Sequence, residues 1–265
     1  MTTALARSRA YLADQRPAII ARSLVAGLAG AVPLPFLDDW AIGAILRSGY
    51  RKVAAAHQVD LDDDAVEAMV FGAQSPPAIS GLAASGIALR IASRAARRMM
   101  LVLATISRAR SAARTFTTMT LFEHYCAKLH VGAALDGPTA LALRGEIAKA
   151  IDNTPGALAV HPFRRGVLAA ARATLRAPLE LVDLATRGAI RKRLARRSEV
   201  TEAEVVDELD AAIEAALASK TNFLSRAVAA VEIQLSAEVN PFLDGAIESL
   251  DRRWRARAAA AGRTR

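Results

Sequence analysis

The longest continuous pattern in the 265-residue chain is a helical one, which begins at Pro77 and runs to Val131. No proline occurs between Pro77 and Pro138, and apolar residues recur at the three- and four-residue spacing of a helix face. A straight helix of this length would measure about 80 Å, so we expect at least one interruption. The candidates are the glycine-containing residues 81–86 and the threonine-rich residues 115–120, where β-branched side chains weaken a helix.

Five arginines in this stretch share one face of the predicted helix. At about 100° per residue they fall within a sector roughly a quarter-turn wide, with Leu101 as the one large apolar residue among them. They are Arg90, Arg94, Arg97, Arg98 and Arg108. The other large apolar residues of the stretch fall on a different sector, and no acidic residue occurs between Arg90 and Arg114. This arginine row is therefore our candidate for binding a membrane surface or another anion.

The composition favours helices over strands. Hydrophobic residues make up 53% of the chain but aromatic residues only 5%, because alanine supplies much of the apolar content. Alanine is the best helix former and a small core residue, so closely packed helices are expected. No segment combines alternating apolar and polar residues with the β-branched enrichment of a strand. We therefore predict an all-α fold, a multi-helix bundle of about 8–10 helices with a long central helix and no β-sheet.

Stop and start signals divide the chain most clearly at residues 132–138, which contain Gly132, Asp136, Gly137 and Pro138. We expect an N-terminal helical half, residues 1–132, packed against a C-terminal helical half, residues 133–265, as one domain or two. Residues 256–265 are a basic tail that we expect to be frayed.

A proline-rich turn separates two of the N-terminal helices. Pro33 and Pro35 force an extended break, because each proline disfavours helix at the residue before it. Phe36 is expected to anchor the start of the next helix in the core, and the Asp38 carboxylate suits the positive end of the helix dipole. We assign Pro33, Pro35, Phe36 and Asp38 a structural role.

The charge of the chain indicates what it binds. Its net charge is +9 and its pI is about 10.5, which favours a polyanionic partner, although a GC-rich genome would give the same arginine bias without a functional cause.

No window reaches the roughly 20 apolar residues of a membrane-spanning helix. Residues 1–16 lack the apolar core of a secretory signal, and the single cysteine, Cys126, excludes an intramolecular disulfide. We expect a cytoplasmic protein, either free or peripheral at the inner face of the membrane.

The sequence lacks the motifs of common enzyme classes. None of its five lysines follows a glycine, which excludes a P-loop, and there is no G-x-S-x-G nucleophile elbow. The best set of metal-ligating residues is Glu123, Cys126 and His130 on one helix face. Glu123 and His130 would lie about 10 Å apart along the axis, so a buried thiol among ordinary neighbours is the favoured interpretation. We predict no catalytic residue, no metal site, no cofactor and no small-molecule substrate.

The segment Gly27–Asp38 reads Gly-Leu-Ala-Gly-Ala-Val-Pro-Leu-Pro-Phe-Leu-Asp. It is followed by a predicted helix that reaches Arg51–Ala54, and then by the short loop Val59–Leu61. A small-residue helix, a Pro-x-Pro-x-x-Asp turn and a helix that ends before a short polar loop together resemble the EcsC/YcjF type of bacterial helical protein. The resemblance covers about residues 24–61. It implies a membrane-associated accessory role, sometimes alongside GTPases or transporters, with no catalytic residue to carry over. The chain departs from the family by lacking the long apolar hairpin of its membrane-embedded members.

These patterns predict a non-catalytic helical accessory protein that docks through basic helix faces on an anionic membrane surface or a protein partner. A nucleic-acid-binding protein is a less favoured alternative, because the basic helix has no interleaved aromatic residues on which bases could stack. A helical scaffold or assembly subunit is a further alternative. A basic face that is only solvated is the remaining interpretation.

Overall fold

The computed structural model describes residues 9–29, 37–73, 94–165, 210–211, 213–219, 223–238, 240 and 243–263. Seven helices account for most of these residues, and their predicted all-α class is confirmed. They are α1 (Arg16–Ala29), α2 (Leu37–Ala56), α3 (Asp63–Phe71), α4 (Arg94–His124), α5 (Gly137–Asp152), α6 (Phe223–Ser236) and α7 (Asp244–Arg263). A 3-10 turn (Ala10–Leu12) precedes α1, a π-helical turn (Tyr125–Leu129) extends α4, and shorter helical pieces occupy residues 160–165, 210–211 and 213–218.

The predicted long central helix is α4, which contacts α1, α2, α5 and α7. It runs without a break through residues 115–120, so this predicted interruption is wrong. The reason is that Thr117 is accommodated, with its hydroxyl 3.0 Å from the carbonyl oxygen of Ala113 and 3.1 Å from that of Ala157. The helix changes instead at Tyr125–Leu129, where the His130 N–H donates to the Tyr125 carbonyl (2.8 Å). The other candidate, residues 81–86, lies outside the described residues.

Small residues allow α1 and α4 to approach closely. A Cβ at Gly27 would lie 3.0 Å from the Ala112 Cβ and 3.1 Å from the Arg108 carbonyl oxygen, which is tighter than ordinary packing. Glycine at this position therefore sets the spacing of the two helices. Around this contact one hydrophobic core includes buried residues from both predicted halves of the chain.

A short parallel strand pair is the one departure from helix and loop in the described residues. β1 (Asp60–Leu61) pairs with β2 (Ala134–Leu135), and the Asp60 N–H donates to the carbonyl oxygen of Ala133 (2.8 Å). Two residues are too few to show the alternation that predicts a strand, so the pair has no signal in the sequence.

The stop and start signals at 132–138 lie where the π turn ends and α5 begins. Gly132 adopts a positive φ of 111°, and the Asp136 side chain accepts a hydrogen bond from the Thr139 N–H (2.9 Å) as the N-cap of α5. At the other end of the chain α7 continues as helix to Arg263, although we expected residues 256–265 to be frayed. No helix in the described ranges is both long and apolar enough to cross a bilayer.

Candidate functional site

The arginine row predicted from the sequence lies mostly beyond what the structure describes. Arg90 is outside the described residues, and of Arg94, Arg97 and Arg98 only the helical backbone in α4 is described. Arg108 is half-buried and has a polar or electrostatic partner. The outward orientation of the row therefore stays a prediction.

Most residues of the proline-rich turn also lie outside the described residues. Pro33, Pro35 and Phe36 lie outside the described residues. The backbone of Asp38 is in the first turn of α2, which begins at Leu37, close to the predicted start.

Inside the bundle, arginines are neutralised by carboxylates from distant parts of the chain. Four such cations are buried or half-buried, and each forms a salt bridge that joins separate elements. The pairs are Arg22 with Asp210, Arg47 with Glu67 (2.6 Å), Arg9 with Asp244 (3.4 Å) and Arg253 with Glu146 (3.7 Å). Because these acidic residues lie in internal contacts, the excess positive charge lies on the outer surface.

Several arginines on that outer surface are exposed and form no salt bridge with a described carboxylate. They are Arg110, Arg164, Arg165, Arg226, Arg252, Arg255 and Arg257. Two of them have weak neutral contacts: Arg165 lies 3.4 Å from the Gln234 side chain, and Arg252 donates to the Glu248 carbonyl of its own helix (3.4 Å). Sequence periodicity missed Arg110 because it lies on a different side of α4 from the predicted row.

The exposed arginines are densest in the second half of α7. Arg252, Arg255 and Arg257 are exposed, as is every residue from 255 to 260, so this end of the helix is open to solvent on all sides. No acidic residue follows Asp251 in the chain. We call residues 252–263 the basic helix end.

A partly buried polar cluster contacts α7 near its middle, at Asp251. The His124 Nε2 lies 2.7 Å from the Asp251 Oδ1, and its Nδ1 is hydrogen-bonded to the Tyr11 hydroxyl. Burial lowers the pKa of His124 even though Asp251 opposes the shift. A neutral imidazole fits this geometry, with the Nε2–H donating to Asp251 and Nδ1 accepting from Tyr11. The chain of contacts ties the N-terminal 3-10 turn, the end of α4 and the start of the basic helix end together.

The π turn at the end of α4 also contacts α7. Because it adds a residue to the helical turn, it gives the end of α4 a different direction from an unbroken α-helix. The Tyr125 ring packs edge-on against the ring of Trp254, with centroids 5.0 Å apart. The Tyr125 hydroxyl also lies 3.3 Å from the His130 Nδ1.

Glu123 precedes His124 in α4 and is an unusual titratable group. Its side chain is fully buried (0% exposed), and neither carboxylate oxygen is hydrogen-bonded to a described residue. The His57 Nε2 lies 3.8 Å from the Glu123 Oε1. Burial raises the pKa of Glu123 from 4.5 to about 8, against the opposing positive charge of Arg16. The carboxyl group is therefore mainly protonated at neutral pH.

The three residues considered as metal ligands do not assemble into a site. Cys126 is buried, and burial raises the pKa of its thiol far above the usual range. The His130 Nδ1 contacts Tyr125 rather than Glu123 or Cys126. In the described part of the chain, no three His, Cys, Asp or Glu side chains are grouped as a metal ion would require.

The cluster around His124 thus contacts α7 at Asp251, and the basic helix end follows directly with Arg252, Arg255 and Arg257 exposed. This arrangement can bind anions by charge and hydrogen bonding. No family model, no curated protein and no solved structure matches this chain.

Proposed function

We propose that this protein is a non-catalytic helical accessory protein that docks on an anionic membrane surface through exposed arginines. The observation that carries the proposal is the basic helix end, where Arg252, Arg255 and Arg257 are exposed and no acid follows Asp251. An arginine guanidinium suits a phosphate headgroup because its planar fork can donate two parallel hydrogen bonds.

The expected strength follows from the number of arginines. A basic residue near an anionic leaflet contributes about 1 kcal/mol. Three such residues would contribute about 3 kcal/mol, which corresponds to roughly a hundredfold in membrane partitioning. The predicted row from Arg90 to Arg108 would add to this attraction wherever its side chains face outward.

The location and the family resemblance belong to the same proposal. A protein that binds by charge alone would sit peripherally, at the anionic inner face of the cytoplasmic membrane. The likeness of residues 24–61 to EcsC/YcjF-type proteins supports an accessory role at a membrane.

Vesicle co-sedimentation tests the proposal. We expect the protein to pellet with vesicles that contain phosphatidylglycerol, not with pure phosphatidylcholine vesicles, and to be released by high salt. Replacing Arg252, Arg255 and Arg257 together with glutamine should weaken the binding by roughly a hundredfold.

The matched control removes the same charge elsewhere, by replacing Arg110, Arg164 and Arg226 with glutamine. This triple variant should bind much more tightly than the α7 variant if the basic helix end is the contact. Equal recovery with both vesicle types, or none with either at low salt, would rule out membrane docking. Salt-sensitive binding to duplex DNA without vesicle binding would favour the nucleic-acid alternative.

A further inference from the structure

A cavity of about 270 Å³ lies between α2, α3, α4 and α5, and no residue of the basic helix end lines it. Its volume is just below the range of about 300–1,000 Å³ typical of small-molecule sites. Its lining includes the apolar side chains of Leu46, Met69 and Ile147 together with polar and cationic groups, so the cavity is amphipathic.

Tyr50 is the most deeply buried polar residue on the cavity wall. The side chain is only 3% exposed, and its ring packs edge-on against Phe122 with centroids 5.0 Å apart. The hydroxyl has no hydrogen-bond partner among the described residues. Burial raises the pKa of Tyr50 to about 12, so the hydroxyl is a donor at neutral pH. This O–H is accessible from the cavity, where it can donate to a bound acceptor.

Arg144 supplies a positive charge to the same cavity and is held in place by α3. Its Nη1 donates to the carbonyl oxygen of Ala68 (3.2 Å) near the C-terminal end of that helix. Gly72 leaves room for the guanidinium, because a Cβ there would lie 2.7 Å from Nη1, and its φ of +73° suits glycine. No described carboxylate forms a salt bridge with Arg144. Its remaining N–H groups can therefore donate hydrogen bonds to an anion.

A row of hydroxyls on α4 completes the polar lining. Ser111, Thr115 and Thr118 line the cavity and lie on one face of the helix, as their spacing requires. None of the three hydroxyls is hydrogen-bonded to another described residue, in contrast to Thr117, which faces the core. The second cation at the rim, Arg114, lies 3.6 Å from Asp152, and both side chains are more than half exposed.

We propose that this cavity binds a small amphipathic acid, a monocarboxylate with a short unbranched apolar chain. The carboxylate would accept hydrogen bonds from the Arg144 guanidinium and the Tyr50 hydroxyl, while the chain packs against Leu46, Met69 and Ile147. A fully polar anion would leave the apolar side chains of the cavity without a packing partner. A neutral alcohol would leave Arg144 without an opposite charge. This ligand site is separate from the membrane contact proposed above.

Calorimetric titration of the full chain with octanoate tests the site, with octan-1-ol and inorganic phosphate as matched probes. We expect octanoate to bind at least tenfold more tightly than either probe, because only octanoate uses both the apolar and the cationic side chains of the cavity. Tyr50→Phe keeps the packed ring and removes only the hydroxyl, so it should weaken octanoate binding by about tenfold. Arg144→Met should weaken it by at least as much.

Two further variants separate loss of the site from loss of the fold. Ala148→Leu extends a side chain that lines the cavity and should block octanoate, while Arg164→Met removes an exposed arginine that does not line it and should change nothing. Melting temperatures of all variants report whether each still folds. The proposal is overturned if octanoate fails to bind at millimolar concentration, if octan-1-ol binds as tightly, or if folded Tyr50→Phe and Ala148→Leu variants keep the original affinity.

Discussion

Replacing Glu123 with glutamine should make the stability of the protein less dependent on pH. The folded-state pKa of about 8 lies above the ordinary value of 4.5, because burial disfavours the charged carboxylate. Between these two values the folded state holds a proton that the unfolded state releases. The contribution of Glu123 to the free energy of unfolding is therefore highest below pH 4.5, falls as the pH rises to 8, and changes no further above it.

The size of the effect follows from the two pKa values. At 1.36 kcal/mol per pH unit, the burial of Glu123 lowers the free energy of unfolding, relative to its value below pH 4.5, by about 3 kcal/mol at pH 7 and about 5 kcal/mol above pH 8. Glutamine resembles the protonated acid in shape but does not titrate. Glu123→Gln should thus have nearly the stability of the original protein at pH 4.5 and be more stable by several kcal/mol at pH 8.

Urea unfolding at pH 5, 6, 7 and 8 measures this difference for both proteins. Glu146→Gln is the matched control, because Glu146 is also buried but keeps two cationic partners, Lys149 (2.9 Å) and Arg253 (3.7 Å). That control should retain the pH dependence of the original protein. Parallel stability curves for Glu123→Gln and the original protein would contradict the assignment of a buried, protonated carboxyl group.

Three further substitutions test the contacts that hold the bundle together. Asp210→Ala removes the carboxylate that neutralises Arg22, whose side chain is only 2% exposed, and should lower the free energy of urea unfolding by about 3–5 kcal/mol. Gly72→Ala places a Cβ against Arg144 at a positive φ and should cost about 1–3 kcal/mol, which thermal unfolding would detect as a lower Tm. Phe116→Ala removes a fully buried ring that packs against a second phenylalanine, and chemical denaturation should show a loss of about 3–5 kcal/mol. An unchanged stability in any of these variants would contradict the corresponding contact.

Local sequence signals predicted the helices well, because their causes lie within a few residues. The start of α5 follows from Asp136 as an N-cap and from the proline at position 138, and both features appear in the structure. α4 lies within the proline-free stretch after Pro77, up to Val131, that predicted a long central helix. The π turn at Tyr125–Leu129 was not predicted, and its Tyr125 ring packs against Trp254, a contact with a residue far along the chain that no local signal indicates.

The polar contacts of the candidate site could not be predicted for the same reason. Asp251 follows His124 by more than a hundred residues, and nothing near either residue indicates that they meet. Glu123 was singled out from its helical spacing to Cys126 and His130, but spacing alone does not show that its carboxyl group is buried without a hydrogen bond. The cavity around Arg144 likewise combines side chains from four helices.

The β1–β2 pair gives the molecule a polarity of its own. Because the strands are parallel and a helix follows each of them directly, α3 and α5 begin side by side, and a Cβ at Gly137 would lie 3.0 Å from the Asp64 Cβ. Asp62, Asp63 and Asp136 lie at the same two helix starts. This edge is thus an acidic pole on a basic protein. In the docking that we propose, repulsion from the anionic bilayer would turn the acidic pole toward bulk solvent.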